Sequence, residues 1–103
     1  MPEYLTRTAF EPHLNTTFQM KLEGGSTIDL ELVEANDKTP ERFDGEQFSL
    51  IFKGPADIFV PQQTCPMEHA AMGELYLFLV PVDQQEDGYY YEAFFNHAAD
   101  LEG

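Results

Sequence analysis

The segment Cys65–Glu74, CPMEHAAMGE, places a thiol, two thioethers, an imidazole and two carboxylates within ten residues. In an extended chain, alternate side chains point the same way, so Cys65, Met67 and His69 would share one face. These ligand types suit Cu(I), and Met72 could reach them around a turn. The inward face of a strand has the same character, because Cys and Met are among the most buried residue types.

The residues Ala70–Gly73 that follow predict the corner of a hairpin. Gly73 supplies the positive φ that a turn often requires, and a Glu68-His69 pair at a hairpin end could hold the turn by hydrogen bonds alone. One Cys and three scattered His give no zinc spacing. A Cys65–His nucleophile pair would need a base and an oxyanion donor that nothing nearby supplies. We therefore expect an inward strand ending at a turn, without metal, cofactor or catalytic residues.

Acidic residues dominate the charge of the chain. Nineteen Asp and Glu against five Lys and Arg give a formal net charge of −14, and every basic side chain precedes residue 54. Phosphate backbones and anionic lipid surfaces would repel such a chain, so we expect neither nucleic-acid nor membrane binding. A basic protein partner, a divalent cation or high-salt adaptation would each be consistent with this charge.

The expected location is the cytoplasm. A single Cys excludes a disulfide within the chain. The N-terminal residues MPEYLTRTAF lack the basic and apolar regions of a secretion signal. The longest apolar run, Leu75–Val82, is too short to span a bilayer.

Period-two alternation predicts strands along most of the chain. The expected inward residues of three of them are Phe18, Met20 and Leu22; Ile28, Leu30 and Leu32; and Phe48, Leu50 and Phe52. Gly24-Gly25 predicts a two-residue hairpin turn between the first two strands, and the polar segment Asn36–Gly45 predicts the longest loop.

The N-terminal segment predicts a short helical turn. Thr6 is placed to cap residues Arg7–Phe10, and Pro12 prevents extension of the helix. Leu5, Phe10 and Leu14 would then anchor this turn on the body of the protein. Together these patterns predict one all-β domain over residues 1–103, built as a small antiparallel barrel or a two-sheet sandwich of about six strands.

The last two predicted strands carry a surplus of aromatic side chains. Leu75–Val82 is apolar on both sides, which suits a strand that is buried on both faces or lies at an interface. The Tyr89-Tyr90-Tyr91 run places rings on both sides of the final strand. These rings either fill a barrel or form a contact surface. The candidate interaction residues are Tyr76, Phe78, Tyr89, Tyr90, Tyr91 and Phe94.

The order of motifs along the chain resembles a small bacterial family that is described only as a domain of unknown function. The resemblance rests on FEPHL at Phe10–Leu14, FSLIFKGPAD at Phe48–Asp57, VPQQT at Val60–Thr64, MEHAAMGEL at Met67–Leu75, FLVPV at Phe78–Val82 and YEAFFN at Tyr91–Asn96. It implies no known activity. It also implies an association with operons for phage-tail-collar-like proteins.

The chain departs from this family at the residues that could bind a soft metal. Cys65 and Pro66 stand where the family pattern has Tyr and Arg, and Met67 stands where it has Leu. A thiol and a thioether that replace an aromatic and an aliphatic residue indicate core packing rather than required ligands.

These observations give three functional hypotheses. The leading one is a non-enzymatic module for protein contacts, acting as a homo-oligomer or as an accessory to a phage-tail-like or fibre-type assembly. The second is an acidic inhibitor or immunity-type protein that presents carboxylates to a basic partner. The third is a small metal-binding or hydrolytic protein.

Overall fold

A computed structural model describes residues 6–98 of the chain. Its elements are a short helix α1 and six strands, which confirms the predicted all-β class. Their bounds are α1 (Arg7–Phe10), β1 (Thr17–Lys21), β2 (Thr27–Asp37), β3 (Gly45–Gly54), β4 (Gln63–His69), β5 (Gly73–Gln85) and β6 (Gly88–Ala98). A 3₁₀ turn, Glu11–His13, follows α1. Leu5, the first of the three predicted anchors of this helix, lies outside the described residues.

The six strands form one antiparallel sheet that closes on itself in the order β1-β2-β3-β6-β5-β4. This ring is the barrel alternative of the sequence prediction and not the two-sheet sandwich. It closes through the pairs Gln19–Glu68 and Met20–Met67 between β1 and β4. The long strands β2 and β5 each pair with one neighbour along their first part and with another along their second part, and an irregularity lies within the second pairing.

The core lies inside this ring and follows the alternation of the sequence. Every strand contributes inward side chains that are 7% exposed or less, among them Phe18, Leu30, Phe52, Leu77 and Tyr91. Fully burying a large apolar side chain contributes about 1.5–3 kcal/mol. The inward and outward faces of the strands are therefore strongly specified.

The N-terminal helix packs one ring onto the core. The Thr6 hydroxyl accepts a hydrogen bond from the Ala9 amide at 3.2 Å, which is the predicted cap. Phe10 is fully buried, and its ring centroid lies 6.5, 6.3 and 5.9 Å from those of Phe18, Phe48 and Phe95. Leu14 packs partly buried against the same core, as predicted.

Two loop predictions are wrong. The connection between β1 and β2 is not a two-residue turn but spans Leu22–Ser26, with the Leu22 amide donating to the Ser26 carbonyl at 2.7 Å. A 3₁₀ turn over Glu23–Gly25 takes up the extra residues. The polar segment Asn36–Gly45 is shorter as a loop than predicted, because β2 continues to Asp37 and pairs with β3. The connection over residues 55–62 is longer.

Within residues 6–98, no helix has both the length and the apolar character needed to cross a membrane.

Candidate functional site

The imidazole of His69 holds the β4–β5 turn together. Its Nδ1 accepts hydrogen bonds from the Ala71 amide at 3.0 Å and the Met72 amide at 3.1 Å. Because Nδ1 is an acceptor, the ring proton lies on Nε2, which donates to the Thr16 hydroxyl at 2.9 Å. The Thr16 hydroxyl in turn donates to the His13 carbonyl at 2.6 Å. Both ring nitrogens are therefore engaged within the protein, and neither is free to bind a metal ion.

The rest of the segment is core wall, as the hairpin interpretation predicts. Cys65 and Met67 point inward and are 0% and 1% exposed. Burial raises the pKa of the Cys65 thiol, so the nucleophilic and metal-binding thiolate form is disfavoured. Gly73 has the expected positive φ, at 77°. In the described part of the chain, no three His, Cys, Asp or Glu side chains are grouped so that they could hold a metal ion.

The state of His69 makes stability depend on pH. Burial, and secondarily the nearby His13, lowers the pKa of His69 below its ordinary value of 6.5. The unfolded chain therefore binds a proton first as the pH falls, and folding stability decreases from about pH 6.5 downward until the folded-state pKa is passed. A difference of one bound proton between the folded and unfolded states changes the free energy of unfolding by at most about 1.4 kcal/mol per pH unit. The free energy of unfolding, measured with urea at about pH 7.5, 6.5 and 5.5, should show this decline.

The matched variant for that measurement is His69→Leu. It should be less stable than the wild type at neutral pH because the turn amides lose their acceptor. Its stability should also change less over the same interval. An equally steep decline in the variant would show that another group causes the pH dependence.

The six candidate interaction residues do not lie on one surface. Tyr76, Phe78 and Phe94 are outward-facing and 69%, 50% and 54% exposed. We refer to these three as the aromatic stripe. Tyr89 and Tyr90 are half-buried, and Tyr91 is 1% exposed.

The register of the sheet places the stripe on the outer face of β5 and β6. Tyr76 and Phe78 alternate with the buried Leu75, Leu77 and Leu79. The next outward residue on β5, Val80, pairs with Glu92 of β6. Phe94 is the outward neighbour of Glu92 on that strand, because side chains two apart share a face. Because the two strands are antiparallel, Phe78 and Phe94 lie on the same side of the Val80–Glu92 pair, facing each other across the strands.

The outward apolar residues of β5, which are Tyr76, Phe78 and Val80, form a row. Carboxylates lie at both ends of this apolar row. Glu74 precedes Tyr76 on the outward face and pairs across the strands with Glu68, which puts two like charges opposite each other. At the other end, the irregularity at Pro81/Asp83 brings Asp83 opposite the outward Tyr90. Lys21 Nζ approaches Glu74 Oε2 at 3.7 Å, in an exposed ion pair of small energetic value.

Tyr91 is a core residue and not part of a contact surface, which corrects that assignment. Alternation along β6 turns its ring inward, and its hydroxyl accepts a hydrogen bond from the buried Val60 amide at 3.0 Å. Tyr89 shares this parity, packs at the rim of the core and meets the ring of Phe59 at 5.2 Å. The Tyr90 hydroxyl donates to Asp87, which also pairs with Lys53 Nζ at 3.1 Å.

The Tyr91 hydroxyl anchors the long 55–62 connection through Val60. Removing it by Tyr91→Phe leaves the Val60 amide buried without a partner, and this should cost about 1–3 kcal/mol of unfolding free energy. The comparison variant Tyr90→Phe removes an exposed hydroxyl and should change stability by less than about 0.5 kcal/mol. Chemical denaturation of both proteins checks the difference, and equal losses would contradict this role of Tyr91.

Sequence reasoning missed three further exposed apolar residues. Ile58 and Phe59, 36% and 53% exposed, lie in the 55–62 connection, and Val82, 49% exposed, lies at the irregularity in β5. The signal for the first two was present, since an apolar pair between Gly54-Pro55 and Pro61 is unusual for a loop. Nothing in the alternation of Leu75–Val82 indicated the irregularity that exposes Val82.

Comparison with known proteins places the chain in a family but gives no activity. No curated protein matches it, and no solved structure does. A family model matches residues 5–95, which is most of the chain and includes the turn at His69 and the aromatic stripe. The protein therefore belongs to the family described as a domain of unknown function (DUF6916).

Proposed function

We propose that this protein is a non-enzymatic interaction module that contacts another protein through the aromatic stripe. One observation carries the proposal: Tyr76, Phe78 and Phe94 are each at least half exposed on the outer face of a sheet whose interior is already filled by other residues. The core does not need these rings. Aromatic side chains are enriched at the centres of protein interfaces, and contiguous exposed apolar surface marks contact sites.

The energy that the stripe could contribute is that of a small hot spot. An aromatic side chain buries about 150–250 Å², and apolar burial contributes about 25 cal/mol per Å². Completing the burial of three rings that are at least half exposed therefore corresponds to several kcal/mol before the costs of association. Each aromatic side chain has only two rotatable torsions, so little conformational entropy is lost on binding.

The resemblance to the bacterial family also suggests where the protein acts and what it assembles with. We place the protein in the bacterial cytoplasm, as a homo-oligomer or as an accessory to a phage-tail-like or fibre-type assembly. A closed sheet that exposes aromatic rings on its outer face suits such a docking role. The buried, protonated Cys65 suits a reducing compartment.

The test is affinity capture from extracts of the host with immobilised wild type and two variants. Phe78→Ser removes the middle of the apolar row, and Phe59→Ser removes a ring of similar exposure outside the stripe. The wild type and Phe59→Ser should retain the same partner, whereas Phe78→Ser should lose it. Sedimentation of the pure protein covers self-association. A strict monomer that retains no partner, or identical capture by all three proteins, would refute the proposal.

A second candidate function, an acidic inhibitor or immunity-type protein, is supported by the formal charge of −14. It requires binding that weakens steeply with salt, because exposed charges are screened within about 8–10 Å at physiological ionic strength. Affinity for a captured basic partner that is the same in low and high salt would exclude it.

A further inference from the structure

We infer that the partner of the aromatic stripe is a basic polypeptide segment with cationic side chains on either side of an apolar centre. This inference rests on the proposed function, since it specifies the chemistry of the partner for the same surface. Its support comes from how charge and apolar surface are distributed along the outer faces of β4, β5 and β6.

The outward row on β5 is apolar in the middle and acidic at both ends. It reads Glu74, Tyr76, Phe78, Val80 and then, past the irregularity, Asp83. At about 3.3 Å per residue, the two carboxylates are separated by roughly 30 Å along the strand. An extended segment of about nine residues spans this length.

Carboxylates on the neighbouring strands strengthen the same pattern. Glu68 of β4 pairs with Glu74, and Glu92 of β6 pairs with Val80, the last apolar residue of the row. With Asp83 this gives four acidic side chains around the stripe, and among the described residues one cation, Lys21, forms an ion pair with them, at 3.7 Å from Glu74. The local formal charge is then −4 + 1 = −3. The opposed pair Glu68–Glu74 destabilises the free protein slightly, and a bound cation would relieve that repulsion.

The aromatic rings favour the same partner chemistry. Lys and especially Arg side chains are attracted to the faces of Tyr and Phe rings, with about 0.5–1 kcal/mol at exposed sites and more when desolvated. Their aliphatic stems also pack on apolar surface while the charged group reaches a carboxylate. One Arg can therefore contact Tyr76 and Glu74 together.

A second copy of this chain fits the surface less well than a basic partner. Each copy carries a formal charge of −14, and residues 54–103, which provide β4–β6, contain no Lys or Arg. Two stripes placed face to face would bring like charges together. The occupant to which the charge pattern points is therefore a different, basic polypeptide.

A defined peptide tests this inference directly. The probe has about nine residues, with paired arginines at each end, Leu-Trp-Leu at its centre and one Ser between the centre and each arginine pair. Because the protein contains no Trp, Trp fluorescence reports the peptide alone. The comparison peptide has glutamate in place of every arginine. The arginine peptide should bind at low salt and about tenfold more weakly at high salt, whereas the glutamate peptide should not bind.

Two charge variants with equal changes in net charge locate the effect. Glu74→Gln with Asp83→Asn should weaken binding of the arginine peptide about tenfold. Glu41→Gln with Asp44→Asn, both exposed in the loop between β2 and β3, should change it by less than about twofold. Phe78→Ser should abolish binding. All of these side chains lie on the surface, so the variants are expected to fold.

Several results would overturn the inference about the partner's chemistry. They would not decide the proposed function, which the capture experiment tests separately. They are equal binding of the two peptides, equal weakening by the two charge variants, and no binding of the arginine peptide at all. Binding that survives Phe78→Ser would show attraction to the acidic protein as a whole. A dimer in sedimentation that Phe78→Ser converts to a monomer would identify a second copy as the occupant and would also overturn the inference.

Discussion

Replacing Phe10 by alanine is expected to destabilise the protein by about 3–5 kcal/mol, because the substitution removes a whole aromatic ring from the core. Phe10 is fully buried, and its ring packs against Phe18, Phe48 and Phe95 from three different strands. Truncation would remove the transfer energy of the ring and leave a cavity beneath α1. A four-residue helix cannot be stable without that anchor.

Thermal unfolding measures the Phe10→Ala effect, with an expected fall in Tm of about 15 °C or more for a chain of this size. Phe10→Leu keeps most of the apolar volume and should cost much less. Phe59→Ala truncates a half-exposed ring, so its effect should also be small. If Phe10→Ala and Phe59→Ala proved equally mild, α1 would not be an integral part of the fold.

Replacing Gly88 by alanine is expected to destabilise the protein by about 3 kcal/mol. Gly88 follows the β5–β6 turn, where its backbone faces β3. An added Cβ would collide with the Gly54 carbonyl oxygen, which is backbone and cannot rotate away. The φ of Gly88, +155°, is also one that other residues rarely adopt. The β3–β6 ladder, which runs from Gly45 to Gly54, would have to separate at this end.

Gly24→Ala is the matched variant for Gly88→Ala. Gly24 also has a positive φ, of +88°, but nothing lies within 4 Å of an added Cβ. It should therefore cost only about 1 kcal/mol of backbone strain. Denaturant unfolding of both variants separates strain from collision. Equal losses would show that β3 and β6 yield easily at Gly54.

Local periodicity predicted the strands and their inward faces because the side-chain period of two is read directly from the sequence. Phe48, Leu50 and Phe52 are all fully buried, as the alternation indicated. The closure of the ring was less accessible to prediction. It depends on only two residue pairs between β1 and β4, which lie far apart in sequence. Such long-range pairing leaves no local signal, so barrel and sandwich stayed equal alternatives.

The candidate site was predicted in part. The segment from Cys65 to His69 was expected to be core wall ending at a turn, and the hydrogen bonds of His69 to the turn amides confirm it. The sequence did not show which of the three consecutive tyrosines point inward, because this depends on the pairing of β6 with two strands. That pairing turns Tyr91 inward and leaves Tyr90 to bond Asp87.

The carboxylates around the stripe could be identified only from the register. Glu68 and Glu74 are separated in sequence by the turn, and pairing makes them direct neighbours. Asp83 joins the outward row only because of the irregularity at Pro81/Asp83. The sequence showed that residues 54–103 are acidic and aromatic, but not that the two properties share one face.

Photo-cross-linking in the host tests most directly whether the aromatic stripe is the contact surface. A benzoyl-phenylalanine at position 78 stands in the middle of the stripe, and the same group at position 59 reports a ring of similar exposure elsewhere. Irradiation should give a discrete cross-linked product from position 78 and none of that mass from position 59. Two results would contradict a function that depends on this face. One is the same cross-linked product from both positions, and the other is a product from position 59 but none from position 78.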